Sequence, residues 1–211
     1  MKMSLVAGVV LLVSALCFWP ASKVGAKPGP QSPDQVAALA EQCEQKKYSA
    51  CGILGALYES GSGVKKDPGR AAALYGQACE GGEPASCGFL GDLHYQGKGV
   101  PKDHAKAVVL FQRSCDGGSE DGCNRLGVAY LRGDGGLSKD ERKAVELFQQ
   151  TCDKDWPMGC YNLGYMYQTG RGGLPQNKNT AIDLAVKGCR LARSKGLDIE
   201  RACKPYPSKR M

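Results

Sequence analysis

The sequence predicts an all-α fold, a superhelical solenoid of helix-turn-helix (α/α) repeats with one disulfide per repeat. Three observations predict it. Cysteines fall in pairs eight residues apart, Cys43 and Cys51, Cys79 and Cys87, Cys115 and Cys123, Cys152 and Cys160, and the pairs recur every 36 or 37 residues. Each full unit carries apolar residues at i, i+3, i+4 spacing, the pattern of an amphipathic helix. Glycine clusters at fixed offsets from the cysteines end each stripe. Hairpins of this size cannot bury their apolar faces alone, so stacking them builds one continuous core.

Residues 1–26 read as a secretory signal peptide. Lys2 gives a positive start, Leu5 to Trp19 is a short apolar run, and Val24-Gly25-Ala26 has the small residues of a cleavage site. The run is shorter than the roughly 20 residues that cross a bilayer, so no membrane span is expected. Leu16 before Cys17 is bulky where a lipoprotein signal has a small residue. Residues 27–33 are linker. Removing residues 1–26 takes two of the 28 bases and none of the 21 acids, so net charge falls from +7 to +5. That mild, scattered basicity, without an aromatic platform, gives no footprint for nucleic acid. Ten cysteines remain in a chain bound for an oxidising compartment, periplasmic or secreted.

Repeat 1, residues 34–66, is the N-terminal cap: Ser32-Pro33-Asp34 opens it, and its first helix, Val36 to Cys43, is alanine-rich. Repeats 2, 3 and 4 are residues 67–102, 103–139 and 140–176. Asp67, Asp103, Asp140 and Asn177 each lie twelve residues before a first cysteine, where an Asx side chain caps the orphan N–H groups of a starting helix. Helix A of each unit then shows its stripe: Ala71, Leu74, Tyr75; Ala107, Leu110, Phe111; Ala144, Leu147, Phe148; Ala181, Leu184, Ala185. Gly81-Gly82 and Gly117-Gly118 close helix A, as glycine does at a left-handed C-terminal position.

Helix B starts near the second cysteine, with Leu54, Leu90, Leu126 and Leu163 three residues on. The next residue is always glycine: Gly55, Gly91, Gly127, Gly164. Glycine inside a helix costs about 1 kcal/mol relative to alanine, so its return in each unit predicts a place where another helix presses on the backbone. A second glycine pair ends helix B, and an aliphatic plug, Val64, Val100, Leu137 or Leu174, precedes the next cap.

Because the first cysteine ends helix A and the second opens helix B, the repeat selects the pairing within each unit. The last pair departs from the rule. Cys189 and Cys203 are fourteen residues apart, across a helix-like segment from Arg190 to Arg201. Residues 177–203 are therefore read as a C-terminal capping unit with its own bridge, and 204–211 as a basic tail.

Asp67-x3-Ala71-x2-Leu74-Tyr75, then Leu90-Gly91, then Tyr95-x-Gly97-x-Gly99-Val100-x2-Asp103 resembles the SEL-one-like repeat, a relative of the tetratricopeptide repeat. With a cysteine pair in every unit, the chain is similar to the secreted cysteine-rich, Hcp-like branch. The resemblance implies a right-handed superhelix and an adaptor or scaffold that binds a protein or peptide. For the cysteine-rich branch it also implies weak penicillin binding or β-lactam hydrolysis.

The residues give that second implication little. Ser62-Gly63-Val64-Lys65 matches the Ser-x-x-Lys string, but the companion Ser-Asp-Asn and Lys-Thr-Gly motifs are missing and the string falls in an inter-unit loop. No catalytic residue is assigned. The two histidines, His94 and His104, do not make a zinc shell, and His94 occupies a tyrosine slot of helix B. Seven residues between paired cysteines suit disulfides and not zinc, and Cys-x-x-Cys is missing, so neither metal nor cofactor is expected. In helical solenoids the concave wall is lined by one helix of each unit, taken here as helix A. That makes a band of Arg70, Lys106 and Lys143, with Gln77, Arg113 and Gln150 seven residues on, the expected partner surface.

Overall fold

The computed structural model describes residues 32–197, so the signal peptide, most of the linker, Cys203 and the basic tail lie outside the described residues. Nine α-helices and one 3-10 turn, with no strand, make up the described part: α1 (Pro33–Glu44), α2 (Tyr48–Ser60), α3 (Pro68–Glu80), α4 (Pro84–Gln96), α5 (His104–Asp116), α6 (Glu120–Arg132), the turn Asp134–Gly136, α7 (Glu141–Asp153), α8 (Pro157–Thr169) and α9 (Lys178–Ser194). Odd-numbered helices are the A helices of the sequence and even-numbered ones the B helices. Together they form a right-handed superhelical solenoid.

The Asx residues act as caps in every unit. Carboxylates of Asp67, Asp103 and Asp140 accept from the N–H groups of Arg70, Lys106 and Lys143 at 3.0, 2.9 and 2.9 Å, and the Asn177 amide oxygen accepts from Thr180 at 3.1 Å. Each of these four residues also donates its own N–H backwards, to the carbonyls of Tyr58, His94, Tyr130 and Tyr167, all at 2.9 Å. One residue thus starts an odd helix and ties it to the end of the preceding even one. Ser32 caps α1 in a reciprocal capping box with Gln35.

The helix-interior glycines are close-packing points. A Cβ on Gly55 would lie 2.9 Å from the Tyr75 ring, and Cβ atoms on Gly91 and Gly127 would lie 2.6 Å from the Phe111 and Phe148 rings. Gly164 has no ring to meet, because Ala185 stands in the aromatic slot; there the Ala181 carbonyl takes the space, 3.0 Å away. In each case the pressing residue belongs to the next odd helix, so the contact is between units.

Packing is accordingly uneven. Each even helix packs more extensively on the odd helix that follows than on the odd helix before it, the one to which it is disulfide-bonded. The four bridges Cys43–Cys51, Cys79–Cys87, Cys115–Cys123 and Cys152–Cys160 join helix ends whose Cα atoms are 4.3 to 4.8 Å apart.

Two local expectations change. The left-handed residue after an odd helix is the second of the glycine pair, Gly82 or Gly118 (φ +92° and +91°), and where no pair exists Lys46 and Asp155 take the same conformation. Helix α9 does not stop at Cys189 but runs to Ser194, because no glycine follows the cysteine until Gly196, with φ +64°.

Candidate functional site

The even helices are the more closely spaced layer of the stack. Consecutive even helices approach one another directly, α4 to α6 and α6 to α8, whereas no two odd helices come as close. In a curved stack the closely spaced layer is the concave one, which favours the even helices for the wall expected from helix A. This layer displays Ile53, which is 48% exposed, exposed Ser49 and Ala85, and half-buried Phe89, Met158 and Tyr165; Tyr161 turns instead to the Cys189 sulfur of α9.

Polar residues interrupt this layer. Arg125 on α6 bonds Asp121 of its own helix at 2.7 Å and reaches across to Asp92 on α4, while its guanidinium lies 6.0 Å from the centre of the Phe111 ring. One unit further, the Asn162 amide donates to Asn124 at 2.8 Å. Tyr75 donates to Glu59 at 2.9 Å, and Tyr95 donates to Asp134 at 2.8 Å. Asp92 is 5% exposed, and its Oδ2 has no hydrogen-bond donor. Burial pushes its carboxyl up to about 7, against the pull of Arg125 and with the push of Asp121 and Glu59. Burial, and then Glu59, push the Tyr75 phenol upward in the same way.

The six residues of the expected band lie on the odd helices and are exposed. Several reach back to the preceding unit. Arg70 donates to the Tyr58 hydroxyl at 3.2 Å and lies over its ring at 5.4 Å; Lys143 sits 4.7 Å from the centre of the Tyr130 ring. Arg113 donates to the Cys79 carbonyl at 2.9 Å, capping the C-terminal end of α3. Lys187, in the same slot of α9, donates to the Cys152 carbonyl at 3.0 Å and pairs with Asp155 at 3.2 Å. Gln77 faces the Cys43 sulfur at 3.5 Å. The Lys106 N–H bonds the Asp103 cap, and the Gln150 carbonyl accepts from the Lys154 N–H at 3.3 Å.

The other candidates are dispersed. Ser62 and Lys65 sit in the turn between α2 and α3, not on one turn of a helix. His94 is buried with Nδ1 3.2 Å from the Pro101 carbonyl, and His104 stacks on Tyr95 at 4.4 Å. Among the described residues, no group of three or more His, Cys, Asp or Glu side chains is placed to hold a metal ion. No described helix is long and apolar enough to cross a membrane. Cys189 is disulfide-bonded; its expected partner Cys203 lies outside the described residues.

Sequence reasoning passed over Asp92 and Arg125. Their signal was departure from the repeat: the slot of Asp92 holds Ala56, Val128 and Tyr165 in other units, and that of Arg125 holds Ile53, Phe89 and Asn162. Opposite charges arriving together in slots that are otherwise mostly apolar mark a pair.

Residues 49–83, 84–119, 120–156 and 157–192 match the family model described as Sel1 repeat. Each matched unit starts with an even helix. Among solved structures, a protective antigen present in uropathogenic Escherichia coli strains, displaying an SLR fold, is 29% identical with a TM-score of 0.66 over 74% of this chain and 33% of its own. A Sel1 repeat protein from Oxalobacter formigenes is 26% identical with a TM-score of 0.66, over 74% of this chain and 63% of its own. Helicobacter pylori cysteine rich protein B is 28% identical over 59% of this chain and 94% of its own, with a TM-score of 0.48. The chain thus spans about a third of the first of these and under two thirds of the second. No curated protein matches it.

Proposed function

We propose, from the premise that the chain belongs to the Sel1 repeat family, that it is a secreted or periplasmic adaptor that holds an extended peptide or protein segment along its inner wall. One observation carries the reading: the even helices present a row of part-exposed apolar and aromatic side chains, Ile53, Phe89, Met158 and Tyr165, interrupted by a seam whose polar groups are paired except for one oxygen of Asp92. A wall of that kind takes a partner by apolar burial and leaves polar rims to set register. Four disulfides in the described residues support an oxidising compartment.

Crosslinking in living cells, with contact sites mapped by mass spectrometry, tests this. Ile53→Glu with Ala85→Glu, both at exposed positions, is expected to remove partner crosslinks from the even helices. Arg70→Glu, Lys106→Glu and Lys143→Glu together are expected to leave them in place. The reverse result moves the surface to the outer face.

A further inference from the structure

Along the outer layer, two of the four described joints between successive odd helices are sealed by a cation from the later helix, while the first and third hold Gln77 and Gln150 in that slot. At the second joint Leu110 packs on the Cys79–Cys87 bridge beside Leu90, and the Arg113 guanidinium bonds the Cys79 carbonyl. At the last, the Lys187 ammonium bonds the Cys152 carbonyl and Asp155. A cation from one odd helix thus seals the C-terminal end of the odd helix before it, where the helix dipole is negative.

At the first joint, between α1 and α3, the same slot holds Gln77, which is shorter and uncharged. A cleft of about 540 Å³ opens there. Leu54, Leu74 and the Cys43–Cys51 bridge line it, and Glu44 and Glu80 stand at its edge with Lys46 as the single lysine or arginine. Leu74 is half-buried, as Leu147 and Leu184 are in the same slot, and α1 has no buried residue at all. Two carboxylates and the C-terminal end of α1 face the cleft, against one ammonium on a residue with φ +61°.

From this we infer that the cleft between α1 and α3 is a binding site for a cationic side chain, an arginine or lysine of a protein partner, seated as Arg113 and Lys187 are seated in the later joints. The aliphatic stem lies on Leu54 and Leu74, and the charged head reaches the carbonyls ending α1 and the Glu80 carboxylate. The inference rests on the adaptor reading given above, since the cation belongs to a partner, but it concerns a different face from the inner wall.

The test is an NMR titration of the oxidised mature protein, residues 27–211, with N-acetyl-arginine amide as probe and N-acetyl-leucine amide and N-acetyl-glutamate amide as comparisons. Saturable shifts at Tyr48, Leu74 and Gln77 with the arginine probe are expected, and weaker ones or none with the other two. Gln77→Arg supplies the cation from within, as Arg113 does, and is expected to weaken the probe by about tenfold or more. Glu80→Gln weakens it by a smaller factor while leaving the thermal transition in place. No saturable shift, equal response to leucine, or undiminished binding by Gln77→Arg overturns the inference. Binding only after removal of residues 27–31 also overturns it, since the occupant is then the chain's own N-terminal segment. None of these results touches the crosslinks of the inner wall, so the two readings fail separately.

Discussion

Arg125 joins two carboxylates on different helices, Asp121 on α6 and Asp92 on α4, and leaves Asp92 Oδ2 buried without a donor. The charges of Asp121 and Glu59 push on Asp92 against the pull of that one guanidinium. The seam between the second and third pairs therefore holds a carboxyl whose charged form is costly. An aspartate raised in the folded state binds its proton more tightly there, so the stabilisation is full below its ordinary value of 3.8 and is lost as pH rises through about 7. Compared with Asp92→Asn, the wild type should lose stability over that window by up to about 1.4 kcal/mol per pH unit. Urea melts of both proteins at several pH values check it; parallel curves would show that folding does not raise the Asp92 carboxyl.

Glu141 has the opposite sign. It accepts from Arg171 and from the Gly172 N–H, and pairs with Lys139 at 3.0 Å; these partners, Arg171 first, hold its carboxyl down at about 2. Its contribution is present above its ordinary value of 4.5 and disappears as pH falls through about 2. Glu141→Gln is expected to cost about 1 kcal/mol at neutral pH, a modest figure because the group is part-exposed and screened. Its thermal transition should converge with that of the wild type on acidification.

Two glycines should respond oppositely to alanine. Gly127 faces the Phe148 ring, 2.6 Å from where a Cβ would stand, and substitution there is expected to cost about 1–3 kcal/mol through overpacking. Gly76 lies in the middle of α3 with its nearest neighbour, Leu90, 4.0 Å away, so alanine should add up to about 1 kcal/mol of helix propensity. Denaturant midpoints of the two variants decide whether close approach, and not turn geometry, places the helix-interior glycines.

Replacing Cys79 and Cys87 together by alanine opens a ring with a sequence separation of 8. By the chain-entropy estimate this costs about 2.5 kcal/mol, read as a lower urea midpoint with secondary structure retained in native buffer.

Ser62→Ala is expected to leave the hydrolysis of a chromogenic cephalosporin unchanged. Ser62 and Lys65 sit in a turn, where no helical geometry presents a base to the hydroxyl. A fall in turnover on this substitution would restore the serine as a nucleophile.

Much of the architecture could be read from the chain because its signals are local. Asx caps, a stripe of 3.6 period and paired cysteines each act within about a dozen residues, and the cap at Asp67 was as plain in the sequence as in the folded protein. The glycines at 55, 91 and 127 announced a close approach, though not the ring that makes it. Which helix layer is the more closely spaced was not legible: it depends on how even helices of successive units approach one another, and a repeat read by its cysteines carries no mark of that. The pairing of Asp92 with Arg125 was hidden for a related reason, since the two residues are 33 positions apart and meet only when α4 and α6 stack. The cleft beside Gln77 became visible once the filled joints at Arg113 and Lys187 could be set beside it.

Each bridge crosses the thinner of the two kinds of interface, joining an odd helix to the even helix that packs on it less extensively. Tension or heat that parts the rod at such a seam meets a covalent tether before a neighbour is lost, so the oxidised array frays from its ends. A reductant removes those tethers at once and leaves a string of tightly packed helix pairs, each free to swing or shed independently.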